Sequence, residues 1–355
     1  MESVELIYKA IYILVIFGLT LLIATYSTYA ERKVAAFIQD RVGPNRAGPF
    51  GLLQPIADAG KMFFKEEFIP AKSNRLLFII GPGVAMIVAC MSSAVIPFGD
   101  TLIIDGRTIY LQAIEVNIGM LYIFGVVSLG VYGLMIGGWA SNNKFSLLGA
   151  IRAASQNISY ELAMGLSIIA ILMMTGSLSL REIAAQQEGF NWNIWYQPLG
   201  FIIFLTCAFA ETNRTPFDLP ECETELIGGY HTEYSSMKLG LYLFAEYINI
   251  FVASAVISTL YFGAYNFPFM ENLRSAISDP VLANNVVTLL GVGVMFAKIF
   301  FFIFFFMWVR WTLPRFRYDQ LMKLGWQILI PLSILNVILT GGGILLFDRV
   351  KDYLF

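Results

Sequence analysis

The chain has 355 residues, of which 57% are hydrophobic and 14% are charged, and its formal net charge is −2. This composition excludes a soluble protein with a charged surface, and the balanced charge offers no basic excess for binding nucleic acid. The three cysteines, Cys90, Cys207 and Cys222, lack a C-x-x-C spacing, and the chain has one histidine. We therefore expect no metal site and no iron–sulfur cluster in this chain alone.

Apolar stretches of about 20 residues, the length of a bilayer-spanning helix, recur along the chain. Six of them are free of charge, and two more carry one charge each, Glu246 and Lys298. The predicted spans are 10–30, 76–99, 116–143, 162–180, 189–210, 239–263, 284–309 and 324–347. The sequence therefore predicts an all-α, polytopic integral membrane protein of about eight transmembrane helices, forming a single membrane domain over 1–355.

The distribution of lysine and arginine predicts the orientation of these helices. The loops 31–75, 144–161, 211–238 and 310–323 hold 8, 2, 2 and 4 basic residues, whereas the opposite loops hold only Arg107, Arg181 and Arg274. By the positive-inside rule the first set of loops is cytoplasmic, and both termini are then periplasmic. Since no amphipathic transit peptide rich in Arg and Ser is present, we expect the bacterial cytoplasmic (inner) membrane.

The first loop, 31–75, is predicted to contain an amphipathic helix. Leu52, Ile56, Ala59 and Phe63 recur at helical spacing, and Pro55 suits a first helical turn. Such a helix would lie on the membrane surface or against a partner protein.

Carboxylates from three predicted helices are expected to meet in the inner half of the membrane. Glu161 opens the fourth span and Glu211 ends the fifth on the cytoplasmic side, while Glu246 lies about 12 Å into the sixth at the α-helical rise. A charge costs ~2.5 to 3.5 kcal/mol at the centre of a membrane helix, so each residue needs a compensating role. Lys298, roughly mid-membrane in the seventh span, is expected to pair with Glu246 or Glu211, or to titrate with them.

The loop 211–238 adds acidic residues on the otherwise basic side: Asp218, Glu221, Glu223, Glu225 and Glu233. Glu221 and Glu225 are four residues apart and would repel each other on one helix face if both were ionised. Carboxylates that extend from a loop into the membrane and exchange protons near neutral pH are typical of a proton relay. A solvated acidic loop is the alternative; we adopt it for Glu233 and leave it open for Glu221, Glu223 and Glu225.

Three segments resemble a known family. They are ERKVAAFIQDRVGPNRAGPFGLLQPIADAGKMFFKE (31–66), AETNRTPFDLPECETELIGGY (210–230) and RWTLPRFRYDQLMKLGW (310–326). All three are similar to the H subunits of respiratory complex I, the proton-pumping NADH:quinone oxidoreductase, in the order in which that family carries them. The resemblance covers essentially the whole chain.

This resemblance implies a non-redox subunit of an enzyme, with ubiquinone or menaquinone as substrate. FMN and iron–sulfur clusters would lie in partner subunits, namely the peripheral-arm subunits at the quinone site, and small membrane subunits would be adjacent. The implied quinone chamber comprises Glu31, Arg32, Arg41, Asp58, Lys61, Arg214, Arg310, Arg315 and Arg317. The implied proton pathway comprises Glu161, Glu211, Asp218, Glu221, Glu223, Glu225 and Glu246, to which the cost of burying charge adds Lys298.

Two other functions share some of these features. A stand-alone proton-coupled transporter would also place acids and a lysine in the membrane, but paired broken helices in two halves are expected of it. The membrane subunit of an energy-converting hydrogenase is related to the same family. The completeness of the first and third segments favours the quinone enzyme.

Overall fold

A computed structural model describes residues 2–104 and 106–354, with the side chains of 2–7, 223–224 and 347–354 outside the description. In chain order the helices are α1 (Glu2–Ile38), α2 (Gln54–Phe64), α3 (Arg75–Ser92), α4 (Gly119–Ala140), α5 (Lys144–Thr175), α6 (Leu180–Ala185), α7 (Asn193–Tyr196), α8 (Pro198–Glu211), α9 (Glu223–Leu226), α10 (Ser236–Tyr261), α11 (Met270–Ala276), α12 (Pro280–Thr312), α13 (Tyr318–Lys323) and α14 (Ile330–Leu354). A π-helical turn (Leu324–Leu329) joins α13 to α14. Strands β1 (Thr101–Ile104) and β2 (Arg107–Tyr110) pair antiparallel.

Seven helices of the described chain are long and apolar enough to span a membrane: α1, α3, α4, α5, α10, α12 and the continuous α13–α14. Lipid offers no hydrogen-bond partners to the backbone, whereas a helix forms its backbone hydrogen bonds internally. Long apolar stretches therefore form helices in a membrane. The all-α, polytopic architecture predicted from the sequence is confirmed.

The eighth predicted span, 189–210, forms a shorter helix than expected. Helix α8 has 14 residues, about 21 Å at the α-helical rise against the ~30 Å of a bilayer core. The preceding segment is polar and bonded within the protein: Asn193 Nδ2 donates to Leu260 O at 2.8 Å, and Gln197 Nε2 to Thr340 Oγ1 at 2.7 Å. Irregular backbone is tolerated at membrane depth when protein surrounds it in this way.

Helix α10 is the most buried of the seven spanning helices and contacts α1, α3, α8 and α12. Glycines of α4 let Tyr242 of α10 approach closely. The Tyr242 hydroxyl donates a hydrogen bond to Gly133 O at 3.0 Å. A Cβ at Gly137 would lie only 1.9 Å from that hydroxyl oxygen. Small residues at helix contacts are the usual means of close packing in membranes.

Several helices extend further than the charge-free stretches that predicted them. Helix α1 continues to Ile38, α5 begins at Lys144 and α12 continues to Thr312. Glu161 therefore lies 17 residues inside α5 and does not open a helix, which corrects the sequence prediction. Charge counting failed here because it marks where an apolar stretch ends, whereas the helix continues past that point through exposed charges such as Arg32 in α1 and Lys144 in α5. We call the end of the bundle where α1, α8 and α12 end, and where α5 and α10 begin, the loop end.

Candidate functional site

A cleft of about 1250 Å³, including its open mouth, lies at the loop end between α1, α2, α10 and the last turn of α12. Its charged lining is Glu31, Arg32, Arg41, Asp58 and Arg310, and the rest of its wall is mostly apolar, including Pro55, Ala59, Met62, Phe63, Leu243, Phe244, Tyr247 and Trp311. Helix α2 is the amphipathic helix predicted in the first loop, and Pro55 stands in its first turn. An apolar cleft with a few polar groups suits a ligand with a polar head and an apolar body.

Glu31 is the buried centre of this cleft, with a relative exposure of 6%. Its Oε2 accepts a hydrogen bond from Tyr247 Oη at 2.7 Å, and its Oε1 is ion-paired with Arg310. At the rim, Arg32 Nη1 lies 2.7 Å from Asp58 Oδ2. The carboxylate is thus held by one phenol and by a cation of α12.

Arg214 connects the cleft to a second buried carboxylate. Its Nη1 lies 3.3 Å from Glu31 Oε2, its Nη2 lies 3.5 Å from Glu246 Oε2, and its guanidinium stacks 4.4 Å from the Tyr247 ring centroid. Burial alone would lower the pKa of this guanidinium, but Tyr247, Glu31 and Glu246 outweigh it, so the pKa is raised and the cation persists. One buried cation therefore serves two acids.

Tyr230 bridges Glu246 to the acidic loop. Its hydroxyl lies 2.9 Å from Glu246 Oε1 and 3.3 Å from Glu221 Oε1. Burial, together with these two carboxylates, raises the pKa of Tyr230 well above 10.0, so the phenol stays neutral. A neutral phenol has one proton to donate, and rotating that proton switches which carboxylate receives it.

Two further pockets, with volumes that include open space, continue from Glu246. The first, of about 480 Å³, is lined by Glu246, Glu211, Asn157 and Asn249. The second, of about 570 Å³, is lined by Glu211 and Asn249 again and also by Glu161. Glu211 accepts from Asn157 Nδ2 at 3.3 Å, and Glu161 from the Ser128 hydroxyl. The three carboxylates predicted to converge therefore do lie along one line of cavities, with Glu211 in the middle.

The remaining loop acids have separate partners. Arg315 Nη2 lies 2.7 Å from Asp218 Oδ2, and its Nη1 lies 3.4 Å from Cys222 Sγ. Burial and the nearby Glu221 nevertheless raise the pKa of Asp218 to about 7, since they outweigh the guanidinium.

Three of the predicted residues stand apart from the cavities. Glu225 is paired with Arg152 at 2.6 Å on the surface, and Arg317 is exposed beside Asp319. Lys61 is exposed on α2 and does not line the cleft. The side chain of Glu223 lies outside the described residues.

Lys298 does not pair with Glu246 or Glu211, which corrects the sequence prediction. Its Nζ donates to Phe262 O, Ala264 O and Asn266 O at 2.6, 2.7 and 2.8 Å, just past the end of α10 that lies away from the loop end. Backbone carbonyls at a helix end carry partial negative charge and attract a cation. The partners of Lys298 are the carbonyl groups that its long side chain can reach, and its depth along α12 did not predict them.

Among the described residues, no group of three or more His, Cys, Asp or Glu side chains is placed to hold a metal ion.

Comparison with known proteins identifies the family. A family model described as NADH dehydrogenase matches residues 10–341. The H subunit of the NADH-quinone oxidoreductase of Flavobacterium johnsoniae is 65% identical over 348 residues, which are 98% of this chain and 98% of that protein. The chain belongs to the family of NADH-quinone oxidoreductase H subunits.

Other members are also similar over their whole length. H subunit 1 of the NADH-quinone oxidoreductase of Cytophaga hutchinsonii is 66% identical, with 96% of this chain and 98% of that protein covered. NADH-quinone oxidoreductase subunit 8 of Rhodothermus marinus is 46% identical, with 98% and 100% covered. The resemblance drawn from the three sequence segments is confirmed. With seven helices in its described residues long and apolar enough to cross a membrane, this member of the H-subunit family is a multi-pass protein of the bacterial inner membrane.

Uncharged residues of the site escaped the sequence prediction. Tyr230, Tyr247, Ser128, Asn157 and Asn249 all touch the acids or line their cavities. Helical spacing held a usable signal for two of them, because Asn249 follows Glu246 by three residues and Asn157 precedes Glu161 by four.

Proposed function

We propose that the chain is the membrane subunit of a proton-translocating NADH-quinone oxidoreductase that forms one wall of the quinone chamber and links quinone reduction to proton movement. The cleft around Glu31 supports a quinone site, with the polar head near the charged residues and the isoprenoid tail along α2 and α10. The shared cation Arg214 supports the link, because it contacts Glu31 of the cleft and Glu246 of the carboxylate chain at once.

Electrons would come from partner subunits of the peripheral arm that carry FMN and iron–sulfur clusters, and small membrane subunits would receive the protons. Reduction of quinone to quinol takes up two electrons and two protons. The charge beside Glu31 changes during this step, and that change alters how Arg214 is shared with Glu246. Protons then pass along Glu221, Tyr230, Glu246, Glu211 and Glu161.

In this scheme the loop 211–238 is a cytoplasmic coupling loop and the loop 31–75 carries the chamber wall. The ion pair between Asp218 Oδ2 and Arg315 Nη2, which lie 2.7 Å apart, anchors the coupling loop to the segment that follows α12. Lys298 binds carbonyl groups and fits a structural role, so we leave it out of the pathway.

The experiment that tests this function replaces Glu246 or Glu211 by Gln in the assembled enzyme. Each variant should lower quinone reductase activity and proton pumping together, by about tenfold or more, because a positioned proton carrier is lost. Reduction of an artificial acceptor that takes electrons before the quinone should be unchanged.

Glu271→Gln is the matched control, because Glu271 is exposed on α11 away from the loop end. Assembled Glu246→Gln and Glu211→Gln enzymes that pump at the control rate would contradict the proposed proton pathway.

A further inference from the structure

Gln156 of α5 is a fully buried, uncharged side chain that contacts the start of the coupling loop. Its Nε2 lies 2.8 Å from Ala210 O, 2.8 Å from Phe217 O and 3.3 Å from Asn213 Oδ1. All three acceptors are oxygens, so the amide must present its nitrogen to them.

These three acceptors bracket a short segment that carries chemistry. Ala210 is in the last turn of α8, directly before Glu211, and Phe217 directly precedes Asp218. The turn between them is tight: Arg214 N donates to Phe209 O at 3.3 Å and Phe217 N to Arg214 O at 2.8 Å. Asn213 adopts a positive φ of 50°, a turn conformation that asparagine accepts more readily than most other residues.

We infer that Gln156 is a positioning residue that closes this turn, residues 210–217, and so holds Arg214 between Glu31 and Glu246. Arg214 extends from the middle of the turn and reaches both carboxylates from there. This inference rests on the proposed function, since it concerns the cation that links the two sites.

Glutamine suits this place because it is neutral and offers two N–H donors to two main-chain carbonyls. A carboxylate of the same shape would face those carbonyls with oxygen, and a carboxylic acid could donate to only one of them. A thioether of similar length would fill the volume without any donor, leaving two buried carbonyls unsatisfied.

The test compares Gln156→Met and Gln156→Glu with Gln187→Met in the assembled enzyme. Gln187 is a matched control, because it is also buried and its Nε2 donates to two carbonyls, Ile183 O at 3.1 Å and Thr259 O at 2.9 Å, away from the acids. Amide hydrogen exchange of 210–217 measures the turn directly, and quinone kinetics measure its consequence.

Gln156→Met should speed exchange in 210–217 by about tenfold or more. It should also lower quinone turnover by about tenfold while the KM for quinone stays within about twofold, since the cleft wall is intact. Gln156→Glu should give the same faster exchange and lower turnover. If Gln156→Met does not assemble, Gln156→Glu tests the inference in its place. Gln187→Met should leave both quantities near those of the unmodified enzyme.

Unchanged exchange in 210–217, or faster exchange with normal quinone turnover, would overturn the inference. Turnover lost equally in Gln187→Met would also overturn it, because a general loss of packing would then be sufficient. Failure of the proposed function is separate, since it is read from pumping by Glu246→Gln, whose substitution lies in α10, outside the turn.

Discussion

Asp218 and Arg214 lie four residues apart in the coupling loop, yet burial affects them differently. Arg214 has acids on two sides and keeps its charge, whereas burial and the neighbouring Glu221 outweigh the cations near Asp218. The pKa of Asp218 is about 7 in the folded loop against 3.8 in water. Protonation of Asp218 therefore stabilises the folded, closed form of the coupling loop relative to an open form in which Asp218 meets water.

The sign of this shift predicts a pH dependence of loop opening. Because the folded pKa is raised, the stabilisation of the closed loop is complete below pH 3.8 and is lost as pH rises toward about 7. Amide exchange around 218–222, corrected for its intrinsic pH dependence, should be about tenfold less protected at pH 7.5 than at pH 5.5.

Asp218→Asn should abolish this dependence, and Arg315→Met should extend it above pH 7, because it removes the cation that lowers the pKa. Asp319→Asn, at an exposed acid near Arg317, is the control and should leave it unchanged. A dependence that survives in Asp218→Asn would show that another group titrates.

The cost of burying charge singled out the acids of the apolar helices from the sequence, but it did not predict which residues they contact. Glu211 and Glu246 drew attention in the sequence because an uncompensated acid in an apolar helix is costly, and both line one pocket in the fold. Arg214 and Tyr230 lie in the recognised segment 210–230, but only the folded loop brings both to Glu246. Lys298 was assigned the wrong partners because depth along a helix says nothing about which carbonyls its long side chain can reach.

At the scale of elements, α2 lines the cleft and α5 supports the coupling loop. Helix α2 forms the cleft wall, and its period was readable because apolar residues recur every three or four positions. Helix α5 supports the coupling loop at close range, since a Cβ at Gly149 would lie 2.7 Å from Tyr230 N.

A bulkier side chain on the cleft face of α2 should weaken quinone binding. Ala59 lines the cleft, so Ala59→Phe should raise the KM for quinone by about tenfold, because overfilling a site costs ~1 to 3 kcal/mol. Activity with an acceptor that acts before the quinone should not change.

Ala57 is the control position, because it is exposed on α2 and does not line the cleft. Ala57→Phe should leave the KM for quinone within about twofold of its normal value. Equal effects of Ala57→Phe and Ala59→Phe on the KM for quinone would contradict the assignment of this cleft.

Short elements were less predictable than long ones. The hairpin formed by Thr101–Ile104 and Arg107–Tyr110 has only four residues in each strand, too few for a period of two to be distinguished. The start of α8 was missed because 189–197 carries no charge, while Asn193 and Gln197 bind partners inside the bundle.

The orientation of the whole molecule depends on whether α8, at about 21 Å, crosses the membrane. If it does, the chain crosses eight times and both termini lie on the periplasmic side, as the distribution of basic residues predicts.

Cysteine labelling should decide this. In a background without the three native cysteines, Glu188→Cys should react with a membrane-impermeant thiol reagent only in right-side-out vesicles. Ile227→Cys, exposed after α8, should react only in inside-out vesicles washed free of peripheral proteins.

Arg274→Cys and Lys323→Cys bracket the 33-residue α12 and serve as the control pair. If Glu188→Cys and Ile227→Cys react from one side, α8 does not cross and the termini lie on opposite sides.

The guanidinium of Arg214, held between Glu31 and Glu246, makes the two sites thermodynamically reciprocal. If a ligand in the cleft changes the proton affinity of Glu246 by some factor, protonation of Glu246 changes the affinity for that ligand by the same factor. A cleft inhibitor should therefore bind with a pH-dependent affinity even if it carries no titratable group, and a transmembrane proton gradient should shift its occupancy. This coupling needs no helix to move, because two carboxylates already compete for one cation.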